Sequence, residues 1–337
     1  EIRSGLVGSE MCIRDSRCIT DTERRSGSMM KKRLTSLALS AMMVLSMVPA
    51  TAFAAKDAGT PPTYNSATGC YEISTPAQLL YLAGKWKDGA PRDGHYVLTA
   101  DIDMTGVKGF KPIASKKDQG FTGTFDGQFH SIKGLRVEYE KKYAGLFGYV
   151  GNQDDQAYIK NVALLDCYVT GQQNVGALAG VNYGTITDCV VTGEVKCLDL
   201  SNSHTAGGIC GKLKEGEGPI VGHVEDCYVN ADVSAPYDAG GIAGIQDGGG
   251  YLARCFAAGT VDATATSGTV GHAGGIAGSF NAGETLKDSV SAQSIIKGVQ
   301  DVDKIVGQLD DEAATNITGN IAWEGTQLTG NEPTEQP

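Results

Sequence analysis

The chain of 337 residues carries 39 aspartates and glutamates against 28 lysines and arginines, which gives a formal net charge of −11 at pH 7. Such an acidic surface repels phosphate backbones, anionic membranes and polyuronate chains, and it argues against nucleic acid as a partner. The 46 glycines, with abundant valine, isoleucine and threonine, favour strands and tight turns over helices.

The N-terminal segment contains two pieces that precede the expected folded domain. Residues 1–28 resemble a translated sequencing-adaptor fragment, a non-native segment without periodicity. Residues 29–54 have the order of a secretory signal peptide: basic residues at 31–33, an apolar run over 34–48 and an Ala-x-Ala cleavage site at 52–54. Because this run is shorter than the roughly 20 residues that cross a bilayer, we expect a secreted chain with no membrane span after cleavage.

The next two segments are expected to lead into the fold and to cap it. Residues 55–69 are rich in proline, threonine and serine and are predicted to form a flexible leader. Residues 70–143 are predicted to form the N-terminal cap and the first coils. Within them, Thr75-Pro-Ala-Gln78 is a capping box with proline at the first helical position, so a short helix should run to about Trp86.

Two further patterns precede the repeats. Residues 96–104 alternate between apolar and polar side chains, which predicts one strand. Asp126-Gly127 is a turn signal that fits either a hairpin or a corner. The corner is the alternative that agrees with Ile132, Leu135 and Val137, because these residues continue the same apolar rhythm.

A glycine-flanked phrase returns along residues 144–323. It reads Ala-Gly-Gly-Ile-Ala-Gly at 239–244 and at 273–278, and its variants lie at 144–148, 175–180, 206–211 and 304–307. The final glycines of successive copies are 29 to 34 residues apart. Self-similarity at this period is typical of a solenoid, propeller or array. The glycines are expected to turn the backbone sharply and to allow positive φ at the corners.

A second phrase follows the first in each repeat, and a third segment follows in three of them. The second phrase occupies 159–162, 186–189, 224–227, 252–255 and 286–289, and the third occupies 193–195, 231–233 and 259–261. Three short strands per repeat fit one triangular coil, whereas a propeller blade needs four strands in a longer repeat. We therefore predict an all-β parallel β-helix, a solenoid with a short N-terminal capping helix.

Stacked coils place equivalent residues in ladders, because neighbouring strands pair in parallel at about 4.8 Å. One apolar residue of each glycine phrase should face the interior: Leu146, Leu178, Ile209, Ile242, Ile276 and Ile305. Cys189, Cys227 and Cys255 share a second position, with Val162 before and Ser289 after. A redox or metal ladder is the functional alternative. Valine and serine at the ends of the row favour small buried side chains with free thiols.

Polar residues offer three possible sites, each with a structural alternative. His204, His223 and His272 precede repeat phrases and could form a metal site, but solvated loop histidines are the favoured interpretation. Asp188, Asp226 and Asp288 form a row, interrupted by Arg254, that could be a lyase or glycosidase site. Asn161 takes the same place in the first coil, and asparagine and aspartate suit corners, so a turn ladder is favoured.

Two further features could bind ligands. Asp101 and Asp103 could ligate calcium, but they lie in a strand pattern and lack further oxygen ligands, so a structural role is favoured. Tyrosines that shared one face could stack on sugar rings. The alternative is that tyrosine simply suits half-buried strand positions. The tyrosines concerned are Tyr149, Tyr158, Tyr168, Tyr183, Tyr228, Tyr237 and Tyr251.

The repeated phrases resemble the GLUG motif of secreted bacterial proteins. The resemblance rests on the glycine phrase paired with Ile-x-Asn/Asp-Cys and on an upstream module, and it covers roughly residues 70–323. It implies a right-handed, pectin-lyase-like parallel β-helix in a secreted or cell-surface protein of a Gram-positive-type bacterium. It also implies further modules, such as immunoglobulin-like domains, wall anchors or a zinc peptidase. Residues 324–337 would then be a linker-like tail within a longer multidomain protein.

No residue of the sequence is assigned a catalytic, cofactor-binding or metal-binding role, and no cofactor is expected. The functional hypothesis is a non-catalytic extracellular or cell-surface β-helix. It would bind an extracellular glycan or a host or bacterial surface protein, or act as an adhesin-like stalk. Two alternatives stay open: a carbohydrate-active enzyme on a β-helix, and the accessory region of a larger surface metallopeptidase.

Overall fold

A computed structural model describes residues 59–85, 90–198, 204–214, 220–264, 271–281, 283–309 and 316–330. The adaptor-like segment and the signal peptide predicted over 1–54 lie outside these residues. Within them the chain forms one short α-helix, α1 (Pro76–Lys85), a 3₁₀ turn at Lys117–Gln119 and 31 strands.

The strands follow one another with short connections. The first eight are β1 Thr63–Asn65, β2 Cys70–Ile73, β3 His95–Leu98, β4 Ile102–Asp103, β5 Thr124–Asp126, β6 Ser131–Lys133, β7 Arg136–Glu138 and β8 Phe147–Val150. The next twelve are β9 Tyr158–Lys160, β10 Ala163–Gly171, β11 Val175–Gly176, β12 Ala179–Asn182, β13 Thr185–Thr187, β14 Val190–Cys197, β15 Thr205–Gly207, β16 Cys210–Lys214, β17 His223–Glu225, β18 Tyr228–Ser234, β19 Asp238–Gly240 and β20 Ala243–Asp247. The last eleven are β21 Tyr251–Ala253, β22 Phe256–Ala263, β23 His272–Gly274, β24 Ala277–Phe280, β25 Thr285–Lys287, β26 Val290–Gly298, β27 Val302–Asp303, β28 Val306–Leu309, β29 Ile317–Thr318, β30 Ile321–Ala322 and β31 Gln327–Thr329.

These strands stack into four sheets that wind around one axis. Sheet I has the order β1-β2-β3-β5-β9-β13-β17-β21-β25-β29, and sheet II has β4-β6-β10-β14-β18-β22-β26-β30, with β7 and β31 beside β10 and β26. Sheet III has the order β8-β12-β16-β20-β24-β28, and sheet IV has β11-β15-β19-β23-β27. Apart from the antiparallel β1–β2 pair, the strand pairs are parallel. The predicted parallel β-helix is therefore confirmed, with about seven turns.

Each full coil contains four strands rather than the three that were predicted. The coil of residues 175–197 passes through β11, β12, β13 and β14 in turn. The glycine phrase bends at its centre, so its two halves lie in sheets IV and III. The second phrase crosses the corner between sheets I and II, and the third segment is the continuation of the same sheet II strand. The prediction of a triangular coil, with one strand for each phrase, was therefore wrong.

The bend in the glycine phrase turns its apolar residue into the core, as predicted. Five of the six ladder residues are fully buried, and the last, Ile305, is partly buried against the same cluster. The carbonyl of Ile242 accepts hydrogen bonds from the backbone nitrogens of Ile209 and Cys210, at 2.8 and 3.2 Å. The carbonyls of Ile209, Ile276 and Ile305 likewise accept from two amides of the preceding coil, and this contact holds neighbouring coils in register.

The glycines of the phrase are needed for close approach rather than for positive φ. A Cβ on Gly274 would lie 1.9 Å from the carbonyl oxygen of Ala277, closer than any real side chain allows. Positive φ occurs instead at the corner between sheets I and II, where five successive coils carry a non-glycine residue and the last described coil carries Gly319. The expectation that phrase glycines supply left-handed corners is corrected accordingly.

The predicted helix caps the first coil. Gln78 N–H donates to Thr75 Oγ1 at 3.3 Å, and Gln78 Oε1 accepts from the Ser74 backbone at 2.8 Å. The first bond satisfies an amide that the first helical turn leaves without an intrahelical partner, and the second satisfies the amide that precedes the cap. Leu79 and Leu82 are buried in the main core, so the helix closes one side of the first turn with apolar surface.

Two expectations for the first coils need correction or refinement. Residues 96–104 form two strands, β3 and β4, in different sheets, because the chain turns a corner at 99–101. Asp101 holds this corner by accepting hydrogen bonds from the backbone and hydroxyl of Ser131, at 2.7 and 3.0 Å. At Asp126-Gly127 the open choice is decided for a corner, since β5 and β6 belong to sheets I and II.

Ordered strands also extend into the segments that were expected to be leader and tail. β1 lies within 55–69 and pairs with β2, and the Tyr64 ring packs on Tyr71 at 5.0 Å. β31 lies within 324–337 and pairs with β26, with Leu328 against the main core. Both segments satisfy the backbone groups of edge strands, which polar composition alone does not indicate.

Candidate functional site

The corner between sheets I and II repeats one unusual backbone conformation. Its φ angles lie between +52° and +55° at five successive coils, at the residues Asn161, Asp188, Asp226, Arg254 and Asp288. Asparagine and aspartate tolerate this left-handed region better than most residues. The row that resembled a carboxylate site is thus a ladder of turns, as favoured from the sequence.

Side chains of this ladder bind neighbouring coils. Arg254 donates to both carboxylate oxygens of Asp226, at 2.9 and 2.8 Å, and also contacts Glu225. The hydrogen bonds that Arg254 donates to Asp226 raise the pKa of Arg254, against the opposing effect of burial. Asn161 donates to Asp126 Oδ1 at 2.9 Å, one coil away. These contacts leave Arg254 and Asp226 committed to each other rather than to a substrate.

The cysteine row lies directly after the left-handed residues and is buried. The thiols of Cys189, Cys227 and Cys255 each donate to the carbonyl two residues earlier, at 3.2, 3.2 and 3.3 Å. Ser289 Oγ makes the same bond at 3.1 Å. All seven described cysteines are free thiols, as expected. Burial raises the pKa values of Cys227 and Cys255 well above the ordinary value, which disfavours the reactive thiolate.

The expectation of solvated loop histidines was wrong for His204 and His272. His204 and His272 are buried, while His223 is half-buried and packs against the Tyr251 ring at 5.0 Å. His272 Nδ1 is 2.7 Å from Asp238 Oδ1, and its Nε2 is 3.4 Å from Asp301 Oδ2. The residues directly before four of the glycine phrases are buried, and their polar side chains pair with groups of adjacent coils where partners are present: Asn174, Thr205, Asp238 and His272.

The aspartates considered as calcium ligands make structural hydrogen bonds instead. Among the described residues, no three histidine, cysteine, aspartate or glutamate side chains come together as a metal site. Asp103 Oδ1 accepts from the Thr105 backbone at 2.9 Å, and Asp101 holds the Ser131 corner. Hydrogen bonds from Thr105 lower the pKa of Asp103, which fits a structural role.

The seven tyrosines do not share one face. Tyr149 and Tyr183 are buried in a small cluster with Val181 and Ile220, separate from the main core. Tyr228 stacks on Phe256 outside sheet II, at 5.2 Å between ring centroids. Tyr158 and Tyr251 lie outside sheet I, and Tyr158 is 46% exposed. A continuous aromatic stripe is therefore absent from the described coils.

One exposed surface on the first coils was missed by sequence reasoning. It consists of Thr124, Asp126, Phe129, Tyr158 and Lys160, and we call it the corner surface. Phe129 is 73% exposed, and its backbone adopts a φ of +63° after Gln128 at +47°. Lys160 Nζ lies 3.4 Å from Asp126 Oδ2. In the sequence, the one indication of this surface is an apolar residue beside a turn signal. Because that pattern is common, it does not identify a site.

The corner surface is rigidly supported. The Phe129 backbone nitrogen donates to Asn161 O at 3.0 Å, and Asp126 Oδ1 accepts from the Gln128 backbone at 2.9 Å. Although burial opposes it, hydrogen bonds from Asn161 and Gln128 and the charge of Lys160 hold the pKa of Asp126 below its ordinary value. Asp126 is therefore a carboxylate at neutral pH, and the Lys160–Asp126 pair has no net charge.

Comparison with known families supports the repeat. The family described as the GLUG motif matches residues 171–196, which span most of one coil from the end of β10 into β14. The resemblance drawn from the sequence is confirmed for this segment. No helix in the described ranges is both long and apolar enough to cross a bilayer.

Two curated relatives and one solved structure resemble the chain. "Halomucin" of Haloquadratum walsbyi is 32% identical over 42% of this chain, and a "Putative Gly-rich membrane protein" of Evansella cellulosilytica is 32% identical over 36%. The aligned parts make up 2% and 14% of those relatives, so the chain spans a small part of their length.

The solved structure is described as that of a "putative immunoglobulin A1 protease" from Bacteroides ovatus. It matches 80% of this chain and 79% of its own at a TM-score of 0.60, with 24% identity, and this likeness concerns the fold alone. Together with the four stacked sheets, the matches lead to one conclusion. The chain carries the GLUG motif on a coil of a parallel β-helix.

Proposed function

We propose that this chain is a non-catalytic, secreted or surface-displayed β-helix that binds an extracellular glycan or protein. The observation that carries the proposal is the structural use of its polar side chains. The corner carboxylates occupy left-handed turns, Arg254 is paired with Asp226, and His272 is buried between two carboxylates. These groups hold coils together, while the outer faces remain available for binding.

The relatives support the surface location and a modular context. One is named halomucin and another a membrane protein, and each is far longer than the matched part. The signal peptide predicted over 29–54 and the acidic charge agree with an extracellular chain. We propose that the β-helix is one module of a larger surface protein, either as a binding module or as a stalk.

An activity and binding screen tests this function. The purified chain is incubated with a panel of neutral and acidic polysaccharides, and new reducing ends and unsaturated products are measured. The proposal expects no depolymerisation, together with saturable binding to at least one polysaccharide or surface protein in a parallel binding assay. Depolymerisation that is lost in Asp188→Asn at unchanged melting temperature would instead assign an enzyme with its site on the corner ladder.

A further inference from the structure

We propose that the corner surface binds a neutral glycan, with Phe129 and Tyr158 packed against sugar rings and the Lys160–Asp126 pair bonded to hydroxyls. This inference rests on the proposed function and names its ligand class and its site. Phe129 is the central residue of this site, because its exposed side chain does not contribute to the stability of the fold.

Phe129 is unfavourable for folding in two respects. A non-glycine residue in the left-handed region costs about 1–2 kcal/mol, and φ at Phe129 is +63°. Burial of the ring would offset this cost, yet 73% of the residue is exposed. Strained residues of this kind concentrate at functional sites, where the strain positions a group for binding.

A longer corner pushes Phe129 outward. Five residues separate Asp126 from Ile132, whereas only three separate Lys160 from Leu164 at the same place in the next coil. The two extra residues form a protrusion, and the bond from Phe129 N to Asn161 O fixes its base. The aromatic ring is therefore held at a defined position rather than on a free loop.

The second aromatic group lies at a distance suited to an extended ligand. Tyr158 precedes Asn161 by three residues, and Phe129 contacts Asn161, so the two aromatic residues are separated by about 10 Å along the strand direction. Lys160 and Asp126 lie between them on the same outer face. Two aromatic side chains with polar groups between them match the usual composition of a specific small-ligand site.

Charge decides between neutral and acidic glycans. The Lys160 ammonium is 3.4 Å from the Asp126 carboxylate, so the two charges largely cancel at the surface. The whole chain has a net charge of −11, which repels a polyanion. The ammonium, the carboxylate and the Thr124 hydroxyl still offer donors and acceptors to sugar hydroxyls. An uncharged chain of sugars is the ligand that fits these groups.

The test uses calorimetric titration of the full chain with laminarin, mannan and xyloglucan, and with polygalacturonate as the acidic comparator. We expect at least one neutral glycan to bind and polygalacturonate not to bind. Phe129→Gly should weaken binding roughly tenfold or more, as loss of an aromatic anchor does. It should leave the melting temperature unchanged or raised, because glycine adopts positive φ without strain. Tyr158→Ala should also weaken binding.

Trp323→Ala is the matched control, since Trp323 is a 53% exposed aromatic residue at the other end of the solenoid. It should bind like the wild type. If none of the three neutral glycans binds, the glycan assignment is overturned, while the protein-binding form of the proposed function is judged by its own screen. If a glycan binds and Phe129→Gly binds it equally well, the proposed function stands and this site is wrong.

Discussion

The left-handed corner residues show how one backbone conformation selects side chains at the residue scale. Asn161, Asp188, Asp226 and Asp288 have φ angles between +52° and +55°, and the exception, Arg254, has the same angle. Arg254 compensates through its two hydrogen bonds to Asp226 in the adjacent coil. The left-handed conformation therefore explains why asparagine and aspartate occupy this position, and contact with the neighbouring coil explains why arginine can replace them.

Substitutions at Asp188 show whether the corner requires the left-handed backbone conformation or the carboxylate group. We expect Asp188→Gly to change the free energy of unfolding by less than about 1 kcal/mol, because glycine accepts positive φ. Asp188→Val should destabilise the protein by about 2 kcal/mol or more, because a β-branched residue is strongly disfavoured there. Urea unfolding of both variants measures this difference. Equal costs for glycine and valine would mean that the Asp188 carboxylate itself stabilises the corner.

The buried pair of Asp238 and His272 makes a second residue-scale prediction, on pH. Burial raises the pKa of Asp238 above its ordinary value of 3.8, and the hydrogen bond with His272 only partly opposes this shift. A raised pKa means that the folded state binds the proton more tightly than the unfolded state. The resulting stability is present below about pH 4 and is lost as pH rises through the folded-state pKa.

Asp238→Asn removes this titration and keeps an oxygen that can accept from His272. The free energy of unfolding of the wild type, minus that of Asp238→Asn, should therefore fall as pH rises from about 3 to 5. Chemical denaturation at several pH values measures this difference. His272→Leu is the companion variant, because leucine cannot bond to Asp238, and loss of the opposing hydrogen bond should move the fall to higher pH. A difference that grows with pH would show that the Asp238–His272 contact outweighs burial.

At the scale of the element, each sheet I to sheet II corner is a compact unit. At four of these corners a left-handed residue is followed by a cysteine or serine whose side chain donates to the carbonyl two positions earlier, whereas Val162 follows Asn161. Cysteine and serine both do this, which is why Ser289 can replace cysteine in the row. The unit lies in the main core, so its thiols are shielded by the strands on either side.

Shielding predicts a strict order of thiol alkylation. Cys70 is partly exposed, whereas Cys227 and Cys255 are fully buried with pKa values well above the ordinary value. We expect iodoacetamide to label Cys70 of the native protein and to leave Cys227 and Cys255 unlabelled, as measured by peptide mass spectrometry. Labelling in urea is the control, and there all three should react. Rapid native labelling of Cys227 would mean that the coils open at this corner.

The features that the sequence predicts correctly depend on local or repeated residue patterns. The interior isoleucines and the capping box of α1 follow from local patterns, and each lies where it was expected. The division of the glycine phrase between two sheets could not be predicted, because its bend depends on a carbonyl from the next coil. The burial of His272 likewise depends on Asp238 and Asp301 from neighbouring coils. The protrusion of Phe129 depends on the register between β5 and β9.

At the scale of the whole molecule, stability comes from contacts between successive coils. Each coil leaves an apolar face that only its neighbours can cover, so stability is approximately a sum over adjacent pairs of coils. Ile242 lies between Leu178 and Ile209 on one side and Ile276 and Ile305 on the other, in hydrogen-bonded succession. Ile305 precedes β28, the last strand in the order of sheet III among the described residues.

This asymmetry makes the cost of the same substitution depend on position. We expect Ile242→Ala to destabilise the protein by about 2–5 kcal/mol, since it leaves a cavity between two covered faces. Ile305→Ala should cost less, about 1–2 kcal/mol, because Ile305 is only partly buried and a site at the edge can relax. Urea unfolding gives both values, and Ile209→Ala, in another interior coil, should match Ile242→Ala. Equal costs at Ile242 and Ile305 would mean that Ile305 is covered as fully as the interior residues, contrary to its partial burial.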